Sequence, residues 1–145
     1  MKRAGFSKDQ RLLTGEESAL LLLRAGLWPL WSRTKCKDMI SPGHKLLIYI
    51  AGNESKGQRV IASALVDTVE QWSDKLHKDN YPLLLDGIPD KVLRLRAVRE
   101  FKKPIDFKSK LDALSFIPSN KKKWGVAMMG GARSLMEADY KLLCS

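Results

Sequence analysis

Lys45-Leu46-Leu47-Ile48-Tyr49-Ile50-Ala51, a polar interval from Asn53 to Gly57, and Gln58-Arg59-Val60-Ile61-Ala62-Ser63-Ala64-Leu65-Val66 make the clearest structural statement in the chain. The first run is apolar, β-branched and aromatic, has strand length, and follows a Pro42-Gly43 turn, so it reads as a buried strand. In the second run, Val60, Ala62, Ala64 and Val66 fall on one parity and Ile61, Ser63 and Leu65 on the other. That is a strand with small and apolar residues on both faces, continuing to Trp72. The polar interval joins the two as a hairpin, so the fold is expected to grow around a sheet.

Upstream, Thr14 stands three residues before Glu17, a Thr-x-x-Glu capping box, with Leu20 to Leu23 inside and Gly26 as a stop. A helix is predicted over residues 15–25. A first strand is expected around Gln10 to Leu13, and residues 1–9 read as a basic tail ahead of one domain over 10–145. Downstream, Ser73 to Pro89 reads as an excursion around Tyr81, and Lys91 to Phe101 as another strand. Its Arg94, Arg96 and Arg99, interleaved with apolar residues, describe a solvated face better than a binding one. Lys102-Lys103-Pro104 is expected to end it. Asp106 to Leu114 suits a short helix, and Ser134-x-x-Glu137 a second capping box opening a terminal helix. This order predicts an α+β fold, a mixed or antiparallel sheet curled into a small barrel with flanking helices.

The chain has 145 residues, 44% of them hydrophobic, which is enough for one packed core. A formal charge of +10 calls for an anionic partner, nucleic acid or acidic membrane. No apolar run approaches the ~20 residues of a membrane span, and no signal peptide is present, so a soluble cytoplasmic protein without membrane contact is expected. Cys36 and Cys144 lack CxxC spacing, and His44 and His77 stand in unrelated contexts, so neither metal nor other cofactor is expected.

The chemistry-bearing stretch is Asn120-Lys121-Lys122-Lys123-Trp124-Gly125, running on through Met128-Met129-Gly130-Gly131-Ala132-Arg133. Lysines neutralise phosphates, and an indole face stacks on a base at about 1–3 kcal/mol. The same motif stands in order with Pro42-Gly43-His44-Lys45-Leu46-Leu47-Ile48-Tyr49, Lys103-Pro104-Ile105-Asp106-Phe107, Leu114-Ser115-Phe116-Ile117, and Ala132-Arg133 through Ala138-Asp139-Tyr140. Together these resemble the EVE domain family of the PUA-like superfamily, related to YTH and ASCH domains. The resemblance covers residues 40–143 well and 14–39 loosely. Where the family commonly has Pro-Gly-Asp, this chain has His44, and its first-helix segment also departs from the family pattern.

The resemblance implies a PUA-like barrel that holds a modified base of DNA or RNA, for example a methylated one, in an aromatic pocket. Pocket candidates are Trp28, Trp31, Tyr49, Ser63, Met129 and Gly130; phosphate or rim candidates are Arg33, Lys35, Lys121, Lys122, Lys123, Trp124 and Arg133. Each has a plainer role. The indoles and Tyr49 could cap the core, Met129 could pack, Ser63 could satisfy backbone, the lysines could be a solvated loop, and Arg133 could pair with Asp139. An ASCH-like amidohydrolase acting on an acylated cytidine is the alternative, using Arg33-Thr34-Lys35 with Glu54 or Glu70. If reading a base leads to cleavage, an effector nuclease on a separate chain must supply it.

Overall fold

A computed structural model describes residues 5–9, 11–51, 58–117 and 131–144. In chain order the elements are β1 (Gly5–Phe6), β2 (Leu12–Leu13), α1 (Gly15–Ala25), β3 (Leu27–Leu30), β4 (Lys45–Ile50), β5 (Arg59–Gln71), α2 (Asp74–His77), β6 (Lys91–Asp106) and α3 (Glu137–Leu143). Short 3-10 turns cover Lys37–Met39, Lys78–Asn80 and Phe107–Lys110. The hairpin forms as read, with Lys45 opposite Leu65 and Ile50 opposite Arg59. Strand order in the sheet is β3-β6-β5-β4, and every pairing is antiparallel. The fold is α+β, a curled antiparallel half-barrel with a few helices.

The curl comes from bulges between the two long central strands. Their register shifts between Val60 and Ala62, between Ser63 and Leu65, and between Val66 and Thr68. An extra residue on one strand bends it and increases its twist. At the middle shift, Ala97 takes a positive φ of 51°, a left-handed conformation that an L-residue adopts at some energetic cost. β6 does not end at Phe101 as its Lys102-Lys103-Pro104 sequel suggested. It runs on through Asp106, because residues 101–104 lie opposite the single residue Ile61, where a missing proline N–H breaks no ladder bond.

α1 occupies the predicted span. The Thr14 hydroxyl accepts from the Glu17 N–H at 3.1 Å, the Glu17 carboxylate accepts from the Thr14 N–H, and Gly26 closes the helix at φ 70°. Ala19, Leu22 and Leu23 are buried beneath it, each leucine worth roughly 1.5–3 kcal/mol. Ion pairs fasten both ends, Glu16 to Arg59 of β5 at 2.8 Å and Arg24 to Glu100 of β6 at 3.1 Å. These charges also match the helix dipole, acidic at the first turn and basic at the last.

Three other expectations change. Gly5–Phe6, inside the segment read as a tail, pairs antiparallel with Leu12–Leu13. The helix expected over 106–114 is only a 3-10 turn. The Asp106 carboxylate accepts from the Lys108 N–H at 3.1 Å and Ser109 Oγ donates to the Asp106 carbonyl at 2.6 Å, local bonds that compete with α-helix. Ser134 caps nothing, since the N-cap of α3 is Met136, without a side-chain bond. The arginines of β6 do form a solvated, paired face: Arg94 meets Glu70 at 2.6 Å and Arg96 meets Asp67 at 3.6 Å.

Candidate functional site

Two clusters of buried side chains hold the fold together. The larger joins α1 to the sheet through Leu22, Leu23, Trp28, Ile48, Val66 and Leu93. The smaller comprises Tyr49, Val60, Phe101, Phe107, Leu114 and Leu143. Between them lies a cleft of about 980 Å³, at the upper end of the size typical of ligand sites, with Trp28, Ile48 and Leu93 from one cluster and Tyr49, Phe107 and Leu143 from the other.

Local chemistry sets each wall. β3 is an outer strand of the described sheet, so Pro29 costs no second ladder, and the strand brings Trp28 and Leu30 to the cleft. Beyond it the chain turns sharply: the Thr34 N–H donates to the Trp31 carbonyl at 2.9 Å, and the Trp31 N–H donates to Thr34 Oγ1 at 3.0 Å. That turn places Trp31 and Thr34 on the cleft and leaves Arg33 and Lys35 exposed beside it. Gly131, at φ 84°, packs against this turn, and a β-carbon there would sit 3.5 Å from the Thr34 side chain. A glycine fits both the positive φ and the approach. The next lip segment, which contributes Cys36, Met39 and Ile40, is held by a reciprocal pair of ion contacts, Lys37 to Asp90 and Lys91 to Asp38, each 2.8 Å. Lys91 accordingly holds the Asp38 carboxyl below its ordinary value.

The opposite wall is a run of rings. Tyr49 meets Phe107 edge-on at 5.2 Å, and Phe107 meets Phe116 at 6.3 Å. Burial pushes the Tyr49 phenol up to about 12, so it stays neutral and serves as an apolar wall with one hydroxyl. Two cations lie over the outer rings. The Arg133 guanidinium sits 4.3 Å from the centre of Phe116, and Lys45 Nζ sits 5.5 Å from that of Tyr140. α3 is anchored by its buried Asp139, whose carboxylate accepts from both the backbone N–H and the hydroxyl of Ser115.

Among known proteins, the UPF0310 protein of Pyrococcus abyssi is 34% identical over 107 aligned residues, which span 72% of this chain and 73% of that protein. The chain belongs to the UPF0310 family. A second member, from Pyrococcus horikoshii, is 28% identical over 145 aligned residues, 90% of this chain and 92% of the other. No family model matches. Neither relative's name states an activity.

In this UPF0310 chain the structure brings together Trp28, Trp31, Tyr49 and Arg133 from three separate segments. Ser63 does not join them: it is buried mid-sheet, opposite Leu47 and Arg99, and is not among the lining residues. Arg133 stacks on Phe116, while Asp139, read as its possible partner, is held by Ser115. Lys121, Lys122, Lys123, Trp124, Met129 and Gly130 lie outside the described residues, as does Glu54. Phe107, Phe116, Tyr140, Lys45 and Thr34 are cleft residues that the sequence alone did not single out for this site. In sequence, Phe107, Leu111 and Leu114 at helical spacing read as one face of a helix.

Glu70, the other carboxylate considered for hydrolysis, belongs to a separate network. Its oxygens accept from Thr68 Oγ1 at 2.6 Å, from His77 Nε2 at 2.9 Å and from Arg94 Nε at 2.6 Å. These bonds, with the Thr68 hydroxyl the strongest influence, lower its carboxyl to about 2. His77 is fully buried, and its Nδ1 accepts from the Ser73 N–H at 3.0 Å. Its proton therefore sits on Nε2, facing Glu70. Among the described residues, no three His, Cys, Asp or Glu side chains form a metal-binding group, and no helix is long and apolar enough to cross a membrane.

Proposed function

We propose that this protein is a non-catalytic reader that holds a modified base of DNA or RNA in the aromatic cleft, on a PUA-like elaboration of the half-barrel. The observation that carries the reading is the convergence of Trp28, Trp31, Tyr49, Phe107 and Phe116 on one cleft whose mouth carries Lys45 and Arg133. A base leaving its stack needs apolar or π faces to replace lost stacking, and its phosphates need cations outside. The chain's charge of +10 and the resemblance of its motifs to EVE domains support the same reading. A methyl group adds only ~1 kcal/mol of burial, so discrimination relies on rings packed as closely as Tyr49 and Phe107.

The non-catalytic character is supported by what the candidate hydrolytic groups already do. Thr34 Oγ1 receives the Trp31 N–H, and Glu70 is committed to Thr68, His77 and Arg94 away from the cleft. Mobility shifts with methylated and unmodified DNA and RNA oligonucleotides test the proposal. Preference for at least one modified probe, weakening with salt, is expected. Equal binding to every probe, or none at low salt, would overturn it.

A further inference from the structure

Among the buried described residues that line the cleft, Tyr49 alone carries a hydroxyl; the others are aliphatic or aromatic, with the Trp28 indole N–H as their one further polar group. The remaining hydroxyl and charged groups of the lining belong to half-buried or exposed residues. Tyr49 is 7% exposed, and its ring is set edge-on against Phe107. Burial is what raises its phenol, and among the described residues its hydroxyl has no hydrogen-bond partner. Buried polar groups are nearly always paired. The oxygen is not sealed off either: among the described residues, the unpaired side-chain atom shut away from solvent is Ser18 Oγ. Tyr49 thus brings a reachable, unpaired hydroxyl to the cleft that its ring lines.

Tyr81 supplies the contrast. It is as buried, its phenol is raised by burial to about 12 as well, but it packs against Trp72 and does not line the cleft. Resting on the base reading proposed above, we infer that the Tyr49 hydroxyl selects which base the cleft accepts, by hydrogen-bonding a keto oxygen or ring nitrogen on its edge. A base taken out of its stack gives up its pairing partner and is read through hydrogen bonds to that edge. A neutral phenol donates to one acceptor there and can accept from an amino group beside it. A base that offers no such group leaves a buried O–H unpaired, a ground for rejection that an apolar pocket lacks. The rings sense the added methyl by packing; the hydroxyl senses the base that carries it.

The test is fluorescence anisotropy at 50 mM KCl with 12-nucleotide single-stranded DNA and RNA probes carrying one 5-methylcytosine, one N6-methyladenine, or the unmodified counterpart of either. Wild type should favour one methylated base over the other. Tyr49→Phe, which keeps the ring and deletes the oxygen, should weaken the favoured probe by about 5- to 30-fold and shrink the ratio between the two methylated bases by a similar factor. The preference for the methylated over the unmodified form of the favoured base should persist. Tyr81→Phe should change neither affinity nor ratio. The melting midpoint of Tyr49→Phe should not fall; a marked fall would show that the hydroxyl holds the fold and overturn the assignment. If Tyr49→Phe keeps both affinity and ratio, or wild type holds the two methylated bases equally above their unmodified forms, the assignment is wrong and base reading stands. Wild type that binds no probe, or binds all alike, overturns both. The DNA and RNA arms identify the strand.

Discussion

Replacing Glu70 by glutamine should destabilise the fold by about 1–3 kcal/mol at pH 7 and flatten its loss of stability in acid. The carboxyl lies at about 2 instead of its ordinary 4.5, held there by Thr68, His77 and Arg94. A folded value below the unfolded one means that the stabilisation is complete above about 4.5 and is lost as pH falls toward 2. At about 1.4 kcal/mol per pH unit, that interval sets a ceiling of roughly 3 kcal/mol. The side chain is 29% exposed, so solvent screening places the outcome below that ceiling. Glutamine can accept from Arg94, but its amide cannot accept everywhere a carboxylate does, and the buried Nε2–H of His77 loses a charged acceptor. Urea unfolding of wild type and Glu70→Gln at pH 7, 5 and 3 reads this directly. The gap between their midpoints should be nearly the same at pH 7 and pH 5 and clearly smaller at pH 3. Equal midpoints at pH 7, or a gap that widens in acid, would refute the network's role.

Ser18→Ala should raise the melting midpoint by several degrees, because the fully buried Ser18 hydroxyl has no hydrogen-bond partner among the described residues, and alanine is the better helix former. Calorimetry showing a lower midpoint would contradict it. Ala97→Gly should be neutral or stabilising by up to ~1 kcal/mol, and Ala97→Val destabilising by about 1–2 kcal/mol, since a β-branched side chain tolerates φ 51° poorly. Similar urea midpoints for the two variants would contradict the bulge geometry. Trp31→Ala, at a half-exposed cleft position, should weaken binding of a preferred modified oligonucleotide by about 1–3 kcal/mol while barely moving the melting midpoint. Unchanged affinity in an anisotropy titration would remove Trp31 from the cleft's function.

Local signals in the chain were legible wherever a few neighbouring residues decide the outcome. Thr14, Glu17 and Gly26 mark both ends of α1, and the parity of Val60 to Val66 marks β5. Signals that depend on partners far along the chain were not. Pro104 looks like a strand end until Ile61 is seen opposite a four-residue bulge. Ser134 and Glu137 have capping-box spacing, yet α3 starts beyond Met136, with the preceding segment laid against Thr34 through Gly131. The cleft divides in the same way. Trp28 and Trp31 attract notice as indoles beside a proline, whereas Phe107, Phe116 and Tyr140 gain their role only when three separated segments converge. Lys45 becomes a site residue only beside Tyr140, a contact no local spacing announces.

Indole N–H resonances offer the most direct test of base reading, because the aromatic cleft is its centre. Assigned through Trp→Phe variants, they would be followed by NMR during titration with a 12-nucleotide strand carrying a single methylated base. Trp28 and Trp31 line the cleft, whereas Trp72 packs against His77 and Tyr81 and hydrogen-bonds Asp74 elsewhere. The account predicts saturable shifts at Trp28 and Trp31, larger with the preferred modified strand than with its unmodified counterpart, and a stationary Trp72. Saturable binding that moves neither cleft indole would contradict it.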